Sequence, residues 1–255
     1  MITSRRNQRL RELKRLQDRK HRRERGLFVA EGEDLVAEAL AHGAVPKTLF
    51  SVSGAGLPFE LPAGVEHVES TADALSSASS LGSGSRVIGV FEQRWAKLES
   101  LGTEGCAVYL HEVADPGNVG TVLRAAHAFA AGPVVLSSRC ADPFGPKAVR
   151  ASMGAVFAVP LARAELDAAR AALGLRAVGL VPGEGQALRV LDLEEPVLFV
   201  LGSERAGLPG SLLAGCDEVV HVPLAPGGAE SLNVAMTATL CLYESAVHRL
   251  SPILD

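Results

Sequence analysis

No stretch of this 255-residue sequence approaches the roughly 18 uninterrupted apolar residues that a membrane-crossing helix requires. Its arginine-rich beginning lacks the apolar segment of a secretory signal. The four cysteines, Cys106, Cys140, Cys216 and Cys241, form no C-x-x-C pair and lie among apolar neighbours. They read as reduced core thiols rather than disulfides or zinc ligands, and the expected compartment is the cytoplasm. His111, His127 and His221 make no helical H-x-x-x-H pair and have no carboxylate cluster beside them, so no metal site is expected. No G-x-G-x-x-G follows the first strand of the C-terminal region, which argues against a dinucleotide-dependent oxidoreductase. The loop "GSERAG" lacks the Lys-Ser/Thr of a phosphate loop.

What is present suffices for a proper core: 47% of residues are hydrophobic and 21% charged, in a length that suits one large or two modest domains. Charge is unevenly placed. Residues 1–25 hold eleven Lys/Arg against three acids, an excess of eight, while the whole chain is at −4; the remainder therefore carries −12. A basic segment on an acidic body points to a polyanionic partner, with Arg5, Arg6, Arg9, Arg22 and Arg23 as candidate nucleic-acid contacts. Leu10, Leu13 and Leu16 recur at helical spacing, so the same segment also reads as a helix packed on the body. The two readings are compatible.

After this arm (1–25), the strands "LFVAEG", "TLFSV", "GVEHVES" and "SRVIGVFEQ" and the helices "EDLVAEALAHG" and "TADALSSAS" outline a small α/β unit over 26–93. The polar, glycine-spaced stretch 94–105 is the expected linker. From Cys106 the pattern is strand, loop and helix repeated. The strands are "CAVYLHEV", "PVVLSS", "VFAVPLA", "RAVGLVP", "VLFVLGS" and "EVVHVPL", and the last helix is "SLNVAMTATLCLYESAVHRL". Continuous apolar strands alternating with helices predict a mostly parallel sheet covered on both faces over 106–255. Ligands of such sheets bind beyond the carboxyl ends of the strands. Three loops there carry candidate chemistry: "DPGNVGTVLR", "LGSERAGLPG" and "HVPLAPGGAESLN". Within the third, a serine ahead of the apolar last helix has a plain explanation as a helix cap; Asn233, two residues on, is left over by it.

In this order, "DPGNVGTVLRAAHAFA", "PKAVRASMGAVF", "LGSERAGL" and "VHVPLAPGGAESLNVAMTATLCLYE" resemble the SpoU (TrmH-like) family of trefoil-knotted RNA ribose 2′-O-methyltransferases, of the SPOUT class. The match covers most of 106–247. Residues 1–93 are similar, more loosely, to the substrate-binding domain found ahead of it in many members, which has a ribosomal-protein-like RNA-binding fold. One departure is "AFAAGPVVL", where the family more often has glycine after the phenylalanine.

The resemblance implies a knotted C-terminal domain, S-adenosylmethionine as cofactor and a homodimer built on the last helix. It implies Arg124 as the catalytic arginine, acting on the ribose hydroxyl as base or as electrostatic stabiliser, with Asn118, Glu204, Ser231 and Asn233 ordering the site. Leu201, Gly202 and Gly207 would bring backbone close to the cofactor, Val222, Leu224 and Leu232 would wall its adenine, and Arg150 would meet a phosphate. Ribosomal RNA is favoured over transfer RNA because a separate N-terminal domain suits a large structured substrate. A transfer-RNA enzyme, a ribosome-protecting resistance methyltransferase and a non-catalytic assembly factor on the same fold stay open as alternatives.

Overall fold

The computed structural model describes residues 1–102 and 105–254, and the chain divides into two compact units. Met1–Arg94 together with Asp142–Ala158 make the first; Trp95–Ala141 and the chain from Val159 onward make the second. No helix among the described residues is long and apolar enough to cross a membrane.

The first unit opens with helices α1 (Gln8–Arg15) and α2 (Arg19–Arg25). Asn7 caps α1 by accepting from the Arg9 N–H, Asp18 caps α2 by accepting from the His21 N–H, and Gly26, left-handed at φ 64°, ends it. Strand β1 (Leu27–Glu31), helix α3 (Glu33–Ala41), strands β2 (Thr48–Val52) and β3 (Glu66–Ser70), helix α4 (Ala72–Ser76) and strand β4 (Val87–Glu92) follow. The sheet runs β1-β4-β2-β3, with β4 antiparallel to both neighbours and β2 parallel to β3. Leu10, Leu13 and Leu16 are buried in one core with Val29, Phe50, Leu75 and Ile88. The leucine face of the basic segment is thus part of this unit's core.

One of its arginines is not a surface group at all. Arg22 is only 3% exposed, and its guanidinium donates to the carbonyls of Leu16 (2.9 Å) and Gln17 (2.7 Å) and to the Asp142 carboxylate (2.7 and 2.9 Å). It ties the α1–α2 turn to the 142–158 segment, and this corrects its assignment as an RNA contact. Arg5 pairs with Asp73 and Arg9 with Glu66, both exposed. Arg6 and Arg23 are exposed, with no side-chain partner among the described residues.

The second unit begins with β5 (Ala107–Leu110), α5 (Pro116–Ala128) and β6 (Val134–Leu136). Helix α6 (Pro146–Ser152) lies in the segment that belongs to the first unit, where Phe144 and Phe157 flank Phe28 at ring-centroid distances of 4.9 and 5.6 Å. There Arg150, half-buried, donates to the Ser80 hydroxyl at 2.9 Å. The second unit resumes with β7 (Leu161–Arg163), α7 (Leu166–Leu173), β8 (Arg176–Leu180), β9 (Gln186–Ala187), β10 (Val197–Leu201), α8 (Gly210–Leu213), β11 (Glu218–His221) and α9 (Val234–Leu254).

All its strands pair in parallel, in the order β7-β6-β5-β10-β8-β11-β9. Strands β5, β6 and β10 are buried at every residue, as continuous apolar strands covered on both faces must be. The order reverses direction between β5 and β10, which makes the loops after those two strands a topological switch point.

Three expectations shift. "VFAVPLA" forms a strand only from Leu161, because α6 ends in left-handed Met153 and Gly154 and a single 3₁₀ turn follows. The stretch 94–105 begins by packing on the second unit: the Ala96 N–H donates to the Leu161 carbonyl, and the Arg163 guanidinium sits 4.7 Å over the Trp95 ring. Thr103 and Glu104, in the same stretch, lie outside the described residues. The last helix begins at Val234, not Ser231.

Candidate active site

The loop after β5 turns sharply into α5. Asp115 accepts from the Gly117 N–H and Pro116 fills the first helical position, where its missing N–H costs nothing. Asn118 therefore stands in the first turn of α5, with Arg124 almost two turns further along. Just ahead of this turn, Glu112 is left-handed at φ 51°, a conformation that costs a non-glycine residue about 1–2 kcal/mol.

The loop after β10 folds back on itself. Ser203 and Gly207 form an antiparallel bridge, closed by the Gly207 N–H donating to the Ser203 carbonyl at 3.0 Å. A Cβ on Gly202 would lie 2.1 Å from the Gly207 carbonyl carbon. The immediate reason for glycine at 202 is this closure of the loop's own backbone; Gly207 in turn supplies the left-handed φ of 64° that the turn requires. Gly202→Ala is expected to cost about 1–3 kcal/mol through overpacking, lowering the thermal midpoint by roughly 2–12 °C. An unchanged melting curve would contradict the closed loop.

That closure aims Glu204 at the β5 loop. Its carboxylate accepts from the backbone N–H groups of Ala114 and Asp115, both at 3.1 Å, and from the Asn118 side-chain amide at 2.8 Å. Partial burial pushes the carboxyl's pKa up, but the hydrogen bonds from Asn118, from its own backbone and from Ala114 and Asp115 outweigh this and hold it below the usual carboxylate value. Asn118 is engaged from a third direction: its Oδ1 accepts from the Asn233 amide at 3.0 Å. Asn233 is also the cap of α9, its Oδ1 accepting from the Ala235 N–H at 2.8 Å. The polar start of this apolar helix has a double cause, and the capping residue is the asparagine rather than the serine.

Beside this junction a cleft is walled by Leu180, Val181, Leu201, Val222, Leu224 and Leu232. Ser203, Glu204, Arg205, His221, Ser231 and Thr237 also line it, as do Gly202 and Gly207. All six residues expected around a cofactor line it. Sequence reading missed the contributions of Leu180, Val181 and Pro182, although "GLVPGEG" also follows a strand and the same rule about carboxyl ends pointed there. Arg124 does not line the cleft; it is exposed on α5, without an ionic partner among the described residues. Arg150 belongs to the first unit. The described residues contain no cluster of three or more His, Cys, Asp or Glu able to hold a metal ion.

Comparison with known proteins identifies the family. Residues 105–243 match the model of the SpoU rRNA methylase family, and residues 7–89 match the MRM3-like substrate binding domain. The chain belongs to the SpoU rRNA methylase family. It is 31% identical to the 23S rRNA (guanosine(2553)-2′-O)-methyltransferase RlmP of Bacillus subtilis, over 95% of this chain and 97% of that one. Among solved structures, it is similar to an AdoMet-bound rRNA methyltransferase from Sinorhizobium meliloti, with TM-score 0.86, 32% identity and coverage of 98% and 97%. It is also similar to the SpoU methyltransferase AviRb from Streptomyces viridochromogenes in complex with AdoMet, with TM-score 0.82, 28% identity and coverage of 96% and 99%.

Proposed function

We propose that this protein transfers a methyl group from S-adenosylmethionine to a ribose 2′-hydroxyl of structured RNA, with 23S ribosomal RNA as the substrate, and that it works in the cytoplasm as a homodimer. The observation that carries this reading is the junction of Asn118, Glu204 and Asn233 at the switch point, directly beside an apolar cleft with a few polar groups. The relatives that act on 23S rRNA, and the separate unit matched by a substrate-binding model, support the choice of substrate.

The cleft suits the cofactor. Leu201, Val222, Leu224 and Leu232 offer walls for an adenine, while the Ser231 and Thr237 hydroxyls and the tight Gly202–Gly207 backbone offer placed hydrogen-bonding groups. When bound, the cofactor supplies a methyl group already activated on a sulfonium. Arg124 acts on the substrate side, binding a phosphate and stabilising the charge that develops on the ribose oxygen. Asn118, Asn233 and Ser231 orient the hydroxyl, and Glu204 locks Asn118 against the loop before RNA arrives. The trefoil threading implied by the resemblance is part of the same reading.

The test is incubation of unmodified 23S and transfer RNAs with labelled S-adenosylmethionine, followed by mapping of the label. A methylated ribose in 23S RNA is expected. Label in transfer RNA alone would overturn the substrate, and cofactor binding without transfer to any RNA would favour the assembly-factor alternative.

The homodimer rests on α9. Met236, Leu240, Tyr243 and Val247, all exposed on the monomer, recur at the alternating spacing of four and three that forms a seam between paired helices. Met236→Asp should place a charge in that seam and shift sedimentation from dimer to monomer. A parent protein that sediments as a fully active monomer would remove the proposal.

A further inference from the structure

Among the described residues, three that are not glycine are left-handed: Glu112, Ala130 and Met153. Ala130 and Met153 follow helices α5 and α6, where a left-handed residue is an ordinary way to end a helix. Glu112 follows a strand, and its φ of 51° sits two and three residues before the Ala114 and Asp115 N–H groups that hold Glu204. Its backbone N–H donates to the Ser137 hydroxyl at 2.9 Å, and its carboxylate accepts from the Arg139 guanidinium and faces His111 Nε2 at 3.5 Å.

Arg139 lies in the loop after β6, the strand next to β5, and that loop is pinned on both sides of it. The Ser137 N–H donates to the Leu110 carbonyl at 3.0 Å, the Ser138 N–H to Glu165 at 3.3 Å, and the Ala141 N–H to the Val113 carbonyl at 2.8 Å. The Cys140 thiol donates to the Leu110 carbonyl at 3.0 Å. On this fixed loop the Arg139 side chain is nevertheless 77% exposed. A surface ion pair contributes little to stability, whereas a left-handed glutamate costs, so stability does not account for the arrangement.

The geometry points to Arg139, buttressed by Glu112, as a contact for a phosphate of the RNA substrate at the edge of the sheet where Asn118 and Glu204 meet. This rests on the methyltransferase reading above. A guanidinium has five N–H donors in a planar fork. One side is taken by Glu112, and the others face solvent on the edge where ligands of parallel sheets bind. The buttress and the pinned loop remove rotamer freedom before RNA arrives, so less ordering remains to be done on binding.

The experiment compares parent, Arg139→Gln and Glu112→Asn. Asparagine accepts a left-handed backbone, so the second variant removes the carboxylate while sparing the turn. Binding to an unmodified 23S rRNA transcript is titrated across salt, S-adenosylmethionine affinity is measured by calorimetry, and methyl transfer is resolved into kcat and KM. Arg139→Gln should reduce the slope of log affinity against log salt by about 0.7–0.9, as for one lost phosphate contact. It should also raise KM for the transcript several-fold while leaving kcat and cofactor affinity unchanged. Glu112→Asn should raise KM in the same direction by a smaller factor, with no loss of thermal midpoint. An unchanged slope in Arg139→Gln overturns the inference, as does a Glu112→Asn variant that loses thermal midpoint and keeps its KM. A parent that binds the transcript but methylates nothing sinks the proposed activity instead, and the salt slope still decides the role of Arg139.

Discussion

Arg124→Ala should lower methyl transfer by a factor of about 10²–10³, the usual loss when one electrostatic stabiliser of a developing anion is removed. S-adenosylmethionine affinity should stay within a few-fold of the parent. The separation follows from where Arg124 stands: exposed on α5, almost two turns beyond Asn118, and absent from the walls of the cleft. Truncating it leaves Leu201, Val222 and Leu232 untouched. Arg124→Lys restores the charge but not the planar fork, so partial recovery is expected if the phosphate is gripped at two points. Single-turnover transfer and calorimetry on the same samples are the measurements. Near-normal turnover in the alanine variant would remove Arg124 from the mechanism.

Arg22→Ala should destabilise the first unit by about 3–5 kcal/mol, the range for breaking a buried ion pair from one side. The substitution strips the Leu16 and Gln17 carbonyls of a donor and leaves the Asp142 carboxylate, itself only 11% exposed, without its counter-charge. Urea unfolding measures the loss. Arg23→Ala, one residue along, should leave the urea midpoint unchanged and instead flatten the salt dependence of RNA binding, since that side chain is exposed. Equal urea midpoints for the two variants would contradict the brace. Removing residues 1–25 as a block cannot separate charge from packing, because Leu10, Leu13 and Leu16 leave the core with them.

Arg22 and Arg23 also mark where sequence reading stops. Both stand in the run "RKHRRER", and nothing local tells them apart. The burial of Arg22 is decided by a turn six residues back and by Asp142, 120 residues away. Elements whose cause is local were legible: "VLFVLGS" is a strand because an uninterrupted apolar run needs cover on both faces, and the leucine seam of α1 follows from helical spacing. The cleft was legible as three loops because carboxyl ends of parallel strands are where ligands collect. Its fourth wall, after β8, was passed over because the residues that form it, Leu180, Val181 and Pro182, carry no polar side chain to draw the eye. The start of α9 was misplaced for a related reason. Ser231 and Asn233 are both good caps, and only the bonds from Asn233 to Asn118 and to the Ala235 N–H decide between them.

The segment Asp142–Ala158 has a consequence for how the chain is made. The first unit is not finished when Arg94 has been synthesised, since the carboxylate that Arg22 requires and the rings of Phe144 and Phe157 arrive 48 to 63 residues later, counting from Arg94 to Asp142 and to Phe157. At about 5–20 residues per second, a ribosome needs roughly 3–13 s to deliver them. During that interval Phe28 lacks two of its ring neighbours and Arg22 has no counter-charge. Strands β5 and β6 emerge in the meantime, before β10 exists to pair with β5. The nascent chain thus holds two incomplete cores at once, and the arrival of one seventeen-residue excursion, 142–158, completes the earlier of them.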